Sequence, residues 1–477
     1  MHKSVNSAVL GVVFLCLFMG MAVSSVPLVP LLVVASIFLF IFAFVYTDSA
    51  MVLLIFAMLL SPELALGAIS KQKDIMVRID DLLIIVFFLA WLARTALTKN
   101  RRFIRKSPLN RSILFYSCIV VFSTTKGMII GNVVPLKGVF FMLKYIEYFM
   151  VFYLATGILR DKKQMEMYLK AFLIVFAIVN IYAFFQIAHT DRVSAPFQPR
   201  GGEPNTLGGY QVLMLGVLIG LLTHVRLGFW KWPLIGLALF TLVPLGYTFS
   251  RASYMALIPM YLTSILFNKF STRTVLLGGL ILGIVLFITF KPTEIINRLN
   301  DTFTAEYQEG IPPVKILDVT LGPSPSARIW DWIELFGAWK KQPFLGYGLT
   351  GARFVDSQYI TVLVETGLVG LVSFMLLLGV IFFRTVKIYR QSKDPLYKGL
   401  AIGFLAGHVG LMVHALTANT FIIIRIMEPY WFLAAMVMMV PQLERPQAAA
   451  PAVPAPEKKQ DYIRNTKFLL SSGKGLV

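Results

Sequence analysis

The chain has 477 residues, of which 57% are hydrophobic and only 14% are charged, whereas soluble domains carry about 25% charged residues. Its mean hydropathy is +0.75, which excludes a soluble globular protein and predicts a polytopic membrane protein. The net charge of +20 does not indicate a nucleic-acid-binding protein, because Lys and Arg lie at the ends of apolar runs and not along one soluble surface.

Apolar runs divided by charged breaks predict the membrane topology. A helix needs about 20 mostly apolar residues to cross the hydrocarbon core. On that measure the chain is expected to be an all-α, polytopic transmembrane helix bundle with about 12 to 14 spans. The runs lie at 7–23, 27–46, 50–68, 81–97, 112–134, 138–159, 169–188, 206–225, 231–249, 252–268, 274–290, 357–383, 399–418 and 422–440. The number of spans within residues 1–80 stays open, because short hairpins there can also be re-entrant.

The distribution of Lys and Arg predicts which side of the membrane each loop occupies. Strongly basic loops, such as KNRRFIRKSPLNR at 99–111, alternate with loops of weaker or mixed charge. Since short basic loops stay on the cytoplasmic side, both termini are expected in the cytoplasm. The segment 291–356 then forms a single large outer loop, and a loop of roughly 65 residues is usually functional.

The large outer loop is predicted to contain an amphipathic helix at Ser326–Lys341, with apolar residues at helical spacing and Ser326 as its N-cap. We therefore divide the chain into three parts. Residues 1–199 are N-terminal transmembrane helices, residues 200–440 form a core that includes the loop, and residues 441–477 form an Ala/Pro-rich cytoplasmic tail that is expected to be disordered.

Metal ions, cofactors and disulfides receive no support from the sequence. Cys16 and Cys118 both lie in predicted spans, and the five histidines are scattered without metal-ligand spacing. We therefore predict no disulfide framework, no metal site and no cofactor.

Polar residues at the ends of spans are costly and therefore informative, and they gather on the predicted outer side. The stretch RGGEPNTLGGY, Arg200–Tyr210, places Asn205 or Thr206 where it can cap the eighth span. The free N–H groups of such a helix end attract anions, phosphate especially. An ordinary turn with a cap is the alternative interpretation.

Two arginines on the same side each allow two interpretations. Arg251 lies in the tight turn before the tenth span, where it either snorkels to the interface or presents its guanidinium to a phosphate or carboxylate. Arg328 lies in the predicted loop helix and either binds an anion in the same way or pairs with Asp331.

The stretch VDSQYITVLVETG brings carboxylates to the start of the twelfth span. At helical spacing Gln358, Thr361 and Glu365 share one stripe, whereas Asp356 and Tyr359 fall on another. Asp356 is expected at the outer surface. Glu365 lies about 14 Å deeper, where it requires a partner, water or a proton.

The order of these motifs resembles that of the O-antigen ligase and O-antigen polymerase superfamily of bacterial envelope glycosyltransferases. The motifs that show the resemblance are, in chain order, SRASYMAL, then R-x-W and P-F-L-G-Y-G in a long outer loop, then D-S-Q-Y-I-x-x-L-V-E-T-G. The stretch RGGEPNTLGGY is similar to the family's glycine-then-Pro-Asn region. The resemblance covers roughly Arg200 to Pro441, while the first 160 residues match only in hydropathy.

The resemblance implies a GT-C-like, inverting, metal-independent glycosyltransferase in the bacterial inner membrane. It would use a glycan on undecaprenyl diphosphate as donor, with the active site facing the periplasm. Family arginines that hold the donor diphosphate correspond to Arg251 and Arg328, and we assign Arg200 and Asn205 to the same binding group. Asp356 is the predicted general base, with helix capping as the alternative.

One departure from the family pattern bears on the reaction. Family ligases carry a His-Asn pair where this chain has Asp356 and Ser357, which favours polymerase or exopolysaccharide activity over lipid A core ligation. Tyr359 and Gln358 are predicted to support the site, and Glu365 is predicted to hold Gln358, Thr361 or a neighbouring helix.

The implied partners are the lipid-linked donor, a glycan or lipid-linked acceptor, membrane lipids, a flippase and a chain-length regulator. Two other function classes remain open at this point. One is a secondary transporter, although transporters place their polar sites near the midplane on helices related by internal repeats. The other is a non-enzymatic scaffold of an envelope assembly complex.

Overall fold

In the part of the chain that the structure describes, apolar runs form helices, because a chain in lipid must satisfy its backbone N–H and C=O groups within its own segment. The computed structural model describes residues 28–65, 76–98, 104–198, 202–290, 293–303, 312–316 and 319–444. The predicted span at 7–23, Arg200 and most of the predicted tail lie outside these residues, and the last helix continues three residues into that tail, to Leu443.

The described residues form fifteen α-helices and two pairs of short antiparallel strands. The helices are α1 Leu28–Val45, α2 Thr47–Leu60, α3 Ile79–Leu97, α4 Asn110–Ile130, α5 Pro135–Ile158, α6 Lys162–Gln186, α7 Pro204–His224, α8 Lys231–Gly246, α9 Arg251–Phe267, α10 Phe270–Phe290, α11 Thr293–Asn300, α12 Pro323–Trp339, α13 Gln358–Gln391, α14 Pro395–His414 and α15 Ile424–Leu443. Strand β1 Glu63–Ala65 pairs with β2 Met76–Arg78, and β3 Lys315–Ile316 pairs with β4 Val319–Thr320.

Eight of the described helices are long and apolar enough to cross a membrane. They are α4, α5, α6, α7, Gly228–Gly246 (which includes α8), α13, α14 and α15. Shorter apolar helices lie at Val34–Val45, Thr47–Leu60 and Phe270–Val285. These helices confirm the predicted all-α polytopic membrane bundle, and the protein is an integral membrane protein.

The centre of the bundle is formed by α7, α14 and α15, whose side chains are mostly buried. Glycines let α7 and α14 approach backbone to backbone. A Cβ added at Gly220 would lie 2.2 Å from the carbonyl oxygen of Gly399, and one at Gly216 would lie 2.7 Å from the nitrogen of Gly407. Small residues at such contacts let helices pack closely in a membrane. Van der Waals contact drives this packing, because moving an apolar side chain from lipid into a helix interface gives little hydrophobic stabilisation.

Helix α13 is not the single continuous span that the sequence predicted. It consists of two helical segments that meet at Gly367, where φ is 70° and ψ is −172°. The loop 343–348 fills the break: Tyr347 N donates to Val364 O at 3.0 Å, Gly348 N to Glu365 O at 2.7 Å, and Leu368 N to Pro343 O at 2.8 Å. The P-F-L-G-Y-G and L-V-E-T-G motifs therefore form one structural unit.

The predicted helix of the outer loop exists, but its predicted N-cap is wrong. Helix α12 begins at Pro323 with Gly322 as N-cap, and proline suits a first helical position because it needs no N–H partner there. The buried Ser326 hydroxyl instead accepts from Val314 N and donates to Leu321 O, both at 3.1 Å. It holds the preceding strands against the helix.

Candidate functional site

A polar cavity of about 370 Å³ lies where α7 and α9 begin and where the long loop returns to α13. We call it the arginine cavity, because four arginines line it together with two carboxylates and an asparagine. These residues are Arg192, Arg251, Arg298, Arg328, Glu203, Asp356 and Asn205. The structure thus brings together four residues singled out in the sequence, namely Asn205, Arg251, Arg328 and Asp356.

Arg251 enters the cavity from the first turn of α9. Ser250 is the N-cap of this helix, and its hydroxyl accepts from Ser253 N at 3.2 Å. Nε and Nη1 of Arg251 are shielded from solvent, and among the described residues neither has a hydrogen-bond partner. Because unsatisfied buried donors are costly, an anion in the cavity would stabilise this arrangement, which favours anion binding over snorkelling.

Arg192 and Arg298 are members of the cavity that the sequence analysis missed. Arg192 follows α6 and donates through Nε to Thr248 O at 3.1 Å. Burial, and then the nearby charge of Arg298, lowers the pKa of the Arg192 guanidinium below its usual value. Arg298 lies on α11, 3.9 Å from Asp301. The available signal for Arg298 was its place in the predicted outer loop 291–356, and Arg192 lies shortly before the polar stretch Arg200–Tyr210 on the same predicted side.

Asp356 lies two residues before the start of α13 and pairs with Arg328, whose Nη2 lies 3.2 Å from Asp356 Oδ2. The alternative pairing of Arg328 with Asp331 is wrong, because Asp331 pairs with Arg353 instead. The Asp356 side chain is 39% exposed, so a molecule in the cavity can reach its carboxylate.

Asn205 does not cap its helix as predicted. Helix α7 begins at Pro204 with Glu203 as N-cap, which places Asn205 inside the first turn. Its Oδ1 accepts from Ser250 Oγ at 2.7 Å. The side chain therefore ties the start of α7 to the start of α9, and it still lines the cavity.

A buried chain of hydrogen bonds continues inward from Asn205 and was not foreseen. Ser253 Oγ donates to Ser250 Oγ at 2.8 Å and lies 3.2 Å from His414 Nε2. This contact requires a glycine on α7, since a Cβ at Gly208 would lie 2.0 Å from Ser253 Oγ. The second glycine pair of RGGEPNTLGGY thus contributes to the site through close packing.

The three predicted supporting residues lie behind the cavity and do not line it. Gln358 Oε1 accepts from Phe421 N at 2.9 Å, and Tyr359 OH donates to Met412 O at 2.7 Å. The first bond fastens the start of α13 to the segment between α14 and α15, and the second fastens it to the last turns of α14. Glu365 Oε1 accepts from Thr350 N at 2.8 Å. The break at Gly367 brings this loop to Glu365, and the predicted contacts of Glu365 with Gln358, Thr361 or a neighbouring helix stay predictions.

Three buried carboxylates elsewhere could hold a cation by distance. Ligand atoms of Asp80, Asp81 and Glu428 all lie within 4.8 Å of one another. Arg78 pairs with Asp80 at 2.6 Å, and Lys144 pairs with Asp81. The two aspartates thus already contact cationic side chains, and the group forms a buried ion network that joins α3, α5 and α15 away from the arginine cavity.

Comparison with known proteins places these features in a family. No curated protein matches the chain. Residues 235–375 match the family model described as O-antigen ligase, and this range contains Arg251, Arg298, Arg328 and Asp356. The match confirms the resemblance found in the motifs and indicates glycosyltransferase-like activity in polysaccharide biosynthesis, on lipid-linked glycan substrates. Residues 235–375 are therefore similar to the O-antigen ligase family, and this similarity supports an O-antigen ligase or polymerase type of membrane enzyme.

Proposed function

We propose that the protein transfers a glycan from a polyprenyl diphosphate to the hydroxyl of a second glycan at the outer face of the bacterial inner membrane, and that both of its termini are cytoplasmic. The observation that carries the proposal is the arginine cavity, in which four guanidinium groups and the Asp356 carboxylate share one space. Basic loops at the opposite helix ends support the orientation.

The charge of the cavity fits a diphosphate. Four arginines and two carboxylates, Glu203 and Asp356, line it, which leaves two net positive charges when all six groups are ionised. A diphosphate esterified at both ends carries two negative charges. Arg251 supplies donors that the described residues leave unsatisfied, and charge-assisted bonds from arginine to phosphate oxygens are among the stronger hydrogen bonds in proteins.

The proposed reaction is a single displacement at the anomeric carbon of the donor. The acceptor hydroxyl oxygen bonds to the anomeric carbon while the bond from that carbon to the diphosphate oxygen breaks, which inverts the configuration. The diphosphate leaves with the bonding electrons, and the arginines stabilise its charge without requiring a metal ion. Asp356 takes the hydroxyl proton, while Arg328 holds its carboxylate in place at 3.2 Å.

Polymerisation of repeat units is favoured over transfer to the lipid A core. The basis is the pair Asp356 and Ser357, which stands where family ligases carry His-Asn. The product would be a surface or exopolysaccharide, and a flippase that supplies the lipid-linked donor and a regulator of chain length would be its partners.

Within the described residues, the break in α13 is a feature that favours a transporter, since transporters bind substrates at broken helices. Here, however, the loop 343–348 occupies the break and uses its backbone hydrogen bonds. The arginine cavity lies at helix ends instead. We therefore prefer the enzyme.

Reconstitution into liposomes with a synthetic lipid-linked repeat unit tests the proposal. We expect products that grow by whole repeats and remain on the lipid, resolved by gel electrophoresis. Movement of the glycan to a second, non-identical acceptor would instead indicate ligation. Absence of any transfer, together with uptake of the substrate into the liposomes, would overturn the enzymatic assignment in favour of transport.

A further inference from the structure

A second and larger cavity lies at the opposite end of the bundle. Its volume is about 970 Å³, and it is lined by the C-terminal ends of α3, α5, α13 and α15 and by the segment before α4. Six cationic side chains line it, and we call it the basic cavity. These residues are Arg94, Arg105, Lys106, Arg160, Arg384 and Lys387.

Among the described residues, no carboxylate lines the basic cavity beside its cations. Within the described part of the chain, Arg384 and Lys387 on α13, and Lys106 before α4, take part in no ion pair. Cations held together in this way repel one another, so an anion bound among them lowers the electrostatic energy.

The position of the cavity matches the level of the lipid headgroups. Helix α13 begins at Gln358 beside the arginine cavity and reaches the basic cavity at Lys387, and its two segments, 358–366 and 368–387, rise by about 12 Å and about 29 Å along their own axes. A bilayer including its headgroups is about 40–45 Å thick. The two cavities therefore lie at the two opposite interfaces, where phosphate groups of lipids are found.

The lining also has an apolar part that a soluble anion would not need. Trp91, Ile158, Ile388 and Met438 line the basic cavity together with the cations. This combination suits a molecule with a charged head and an apolar body. Basic pockets between the ends of transmembrane helices bind anionic lipid headgroups by the same physics.

We propose that the basic cavity binds the phosphate headgroup of an anionic phospholipid and thereby holds the ends of α3, α5, α13 and α15 together. The chemistry recognised is a phosphate ester, which a soluble phosphate compound could also supply. The site is independent of the proposed function, since none of its residues lines the arginine cavity.

Lipid binding to the purified protein tests this proposal. Native mass spectrometry in mild detergent would count retained lipids, and thermal unfolding would be followed with added phosphatidylglycerol or phosphatidylcholine. We expect the wild type to retain phosphatidylglycerol and to be stabilised by it, with phosphatidylcholine having little effect. Equal retention of the two lipids by the wild type would overturn the proposal without reference to any variant.

A pair of charge-matched variants locates the site. The double substitution Arg384→Gln, Lys387→Gln removes two charges from the basic cavity. The control Arg390→Gln, Lys393→Gln removes two exposed charges from the same end of the helix bundle, outside the cavity. Phosphatidylglycerol affinity should fall about 10- to 30-fold in the first variant and stay near wild type in the second. Equal losses in both variants would contradict a specific site.

Additional experiments distinguish a lipid phosphate from a soluble phosphate, and they distinguish loss of binding from a failure to fold. Inorganic phosphate or pyrophosphate that stabilises the protein as strongly as phosphatidylglycerol would overturn the lipid assignment. If the first variant does not fold, Lys106→Gln, Arg160→Gln removes charge from another side of the cavity and should lose lipid in the same way. Arg251→Ala, at the other end, should retain lipid even if it loses transfer activity.

Discussion

Arg251 shows how the role of one side chain depends on what surrounds it. By position alone it could snorkel, as arginines at span ends commonly do. In the folded protein its Nε and Nη1 are shielded and unsatisfied among the described residues, and Arg192, Arg298 and Arg328 line the same cavity. Like charges are brought together at a cost, and a diphosphate would offset that cost.

Replacing the arginines of the arginine cavity tests whether they bind the donor diphosphate. We expect Arg251→Ala, Arg298→Ala and Arg328→Ala each to lower transfer by about 10²–10³-fold, the usual loss when one preorganised charge-stabilising donor is removed, while protein levels in the membrane stay normal. Chain formation from the lipid-linked repeat would be measured. Arg353→Ala is the control, because Arg353 pairs with Asp331 on the same loop and does not line the cavity. Normal amounts of product from all three variants would contradict diphosphate binding by these arginines.

Asp356 is tested by a substitution that preserves its shape. Asp356→Asn can still accept a hydrogen bond from Arg328, but it cannot take up a proton. We expect turnover to fall by about 10²–10⁴-fold while KM for the donor changes little. Asp331→Asn, a carboxylate outside the cavity, is the matched control. Unchanged turnover in Asp356→Asn would reassign Asp356 to holding Arg328.

At the scale of elements, the loop after α12 and the break in α13 act together. Tyr347 OH donates to Ala338 O at 2.9 Å at the end of α12, while its backbone N bonds to Val364 across the break. This joint holds α12 against α13, and so it sets the distance between Arg328 and Asp356. The P-F-L-G-Y-G and L-V-E-T-G motifs are separate in the sequence but form one structural unit.

Gly367 is the position where this structural unit is most sensitive. A Cβ there would lie 2.1 Å from Phe344 O, and its φ of +70° is one that other residues rarely adopt. We expect Gly367→Ala to destabilise the protein by at least about 1–3 kcal/mol, measured as a lower melting temperature in detergent, and to lower activity. Gly379→Ala on the same helix meets nothing within 4 Å and should leave stability unchanged or slightly higher. Equal melting temperatures for the two variants would show that the break tolerates a side chain.

At the scale of the whole molecule, the close contact between α7 and α14 fixes how the central helices pack. Helix α7 begins at the arginine cavity and ends near the other side of the membrane. Its position against α14 depends on glycine backbones in direct contact. A change in the middle of this contact would therefore move the cavity without touching any residue that lines it.

A bulky side chain in this contact should disrupt folding. We expect Gly220→Leu to reduce the amount of monodisperse protein in size-exclusion chromatography, because overpacking costs at least about 1–3 kcal/mol and the new side chain would meet Gly399 O within 2.2 Å. Gly236→Leu on α8 faces open space and should behave as wild type. A Gly220→Leu protein as stable as that control would mean that α7 and α14 can separate without loss.

The sequence by itself determined the class of fold, the helical segments and the motifs of the site. Hydropathy and charge are properties of consecutive residues, so Asn205, Arg251, Arg328 and Asp356 could be singled out from local context. Their helical neighbours were also predictable, although the N-caps at Ser326 and Asn205 were wrong because a proline one to three residues earlier begins each helix.

Only the tertiary structure decided which of these residues meet. Arg192 and Arg298 joined the cavity, Asp356 paired with Arg328, and Glu365 bonded a loop. The break at Gly367 was equally hidden, since a glycine in an apolar run is compatible with a continuous helix. The physical reason is the same in each case: a contact between segments far apart in the chain depends on how helices pack, and that packing is not written in any one segment.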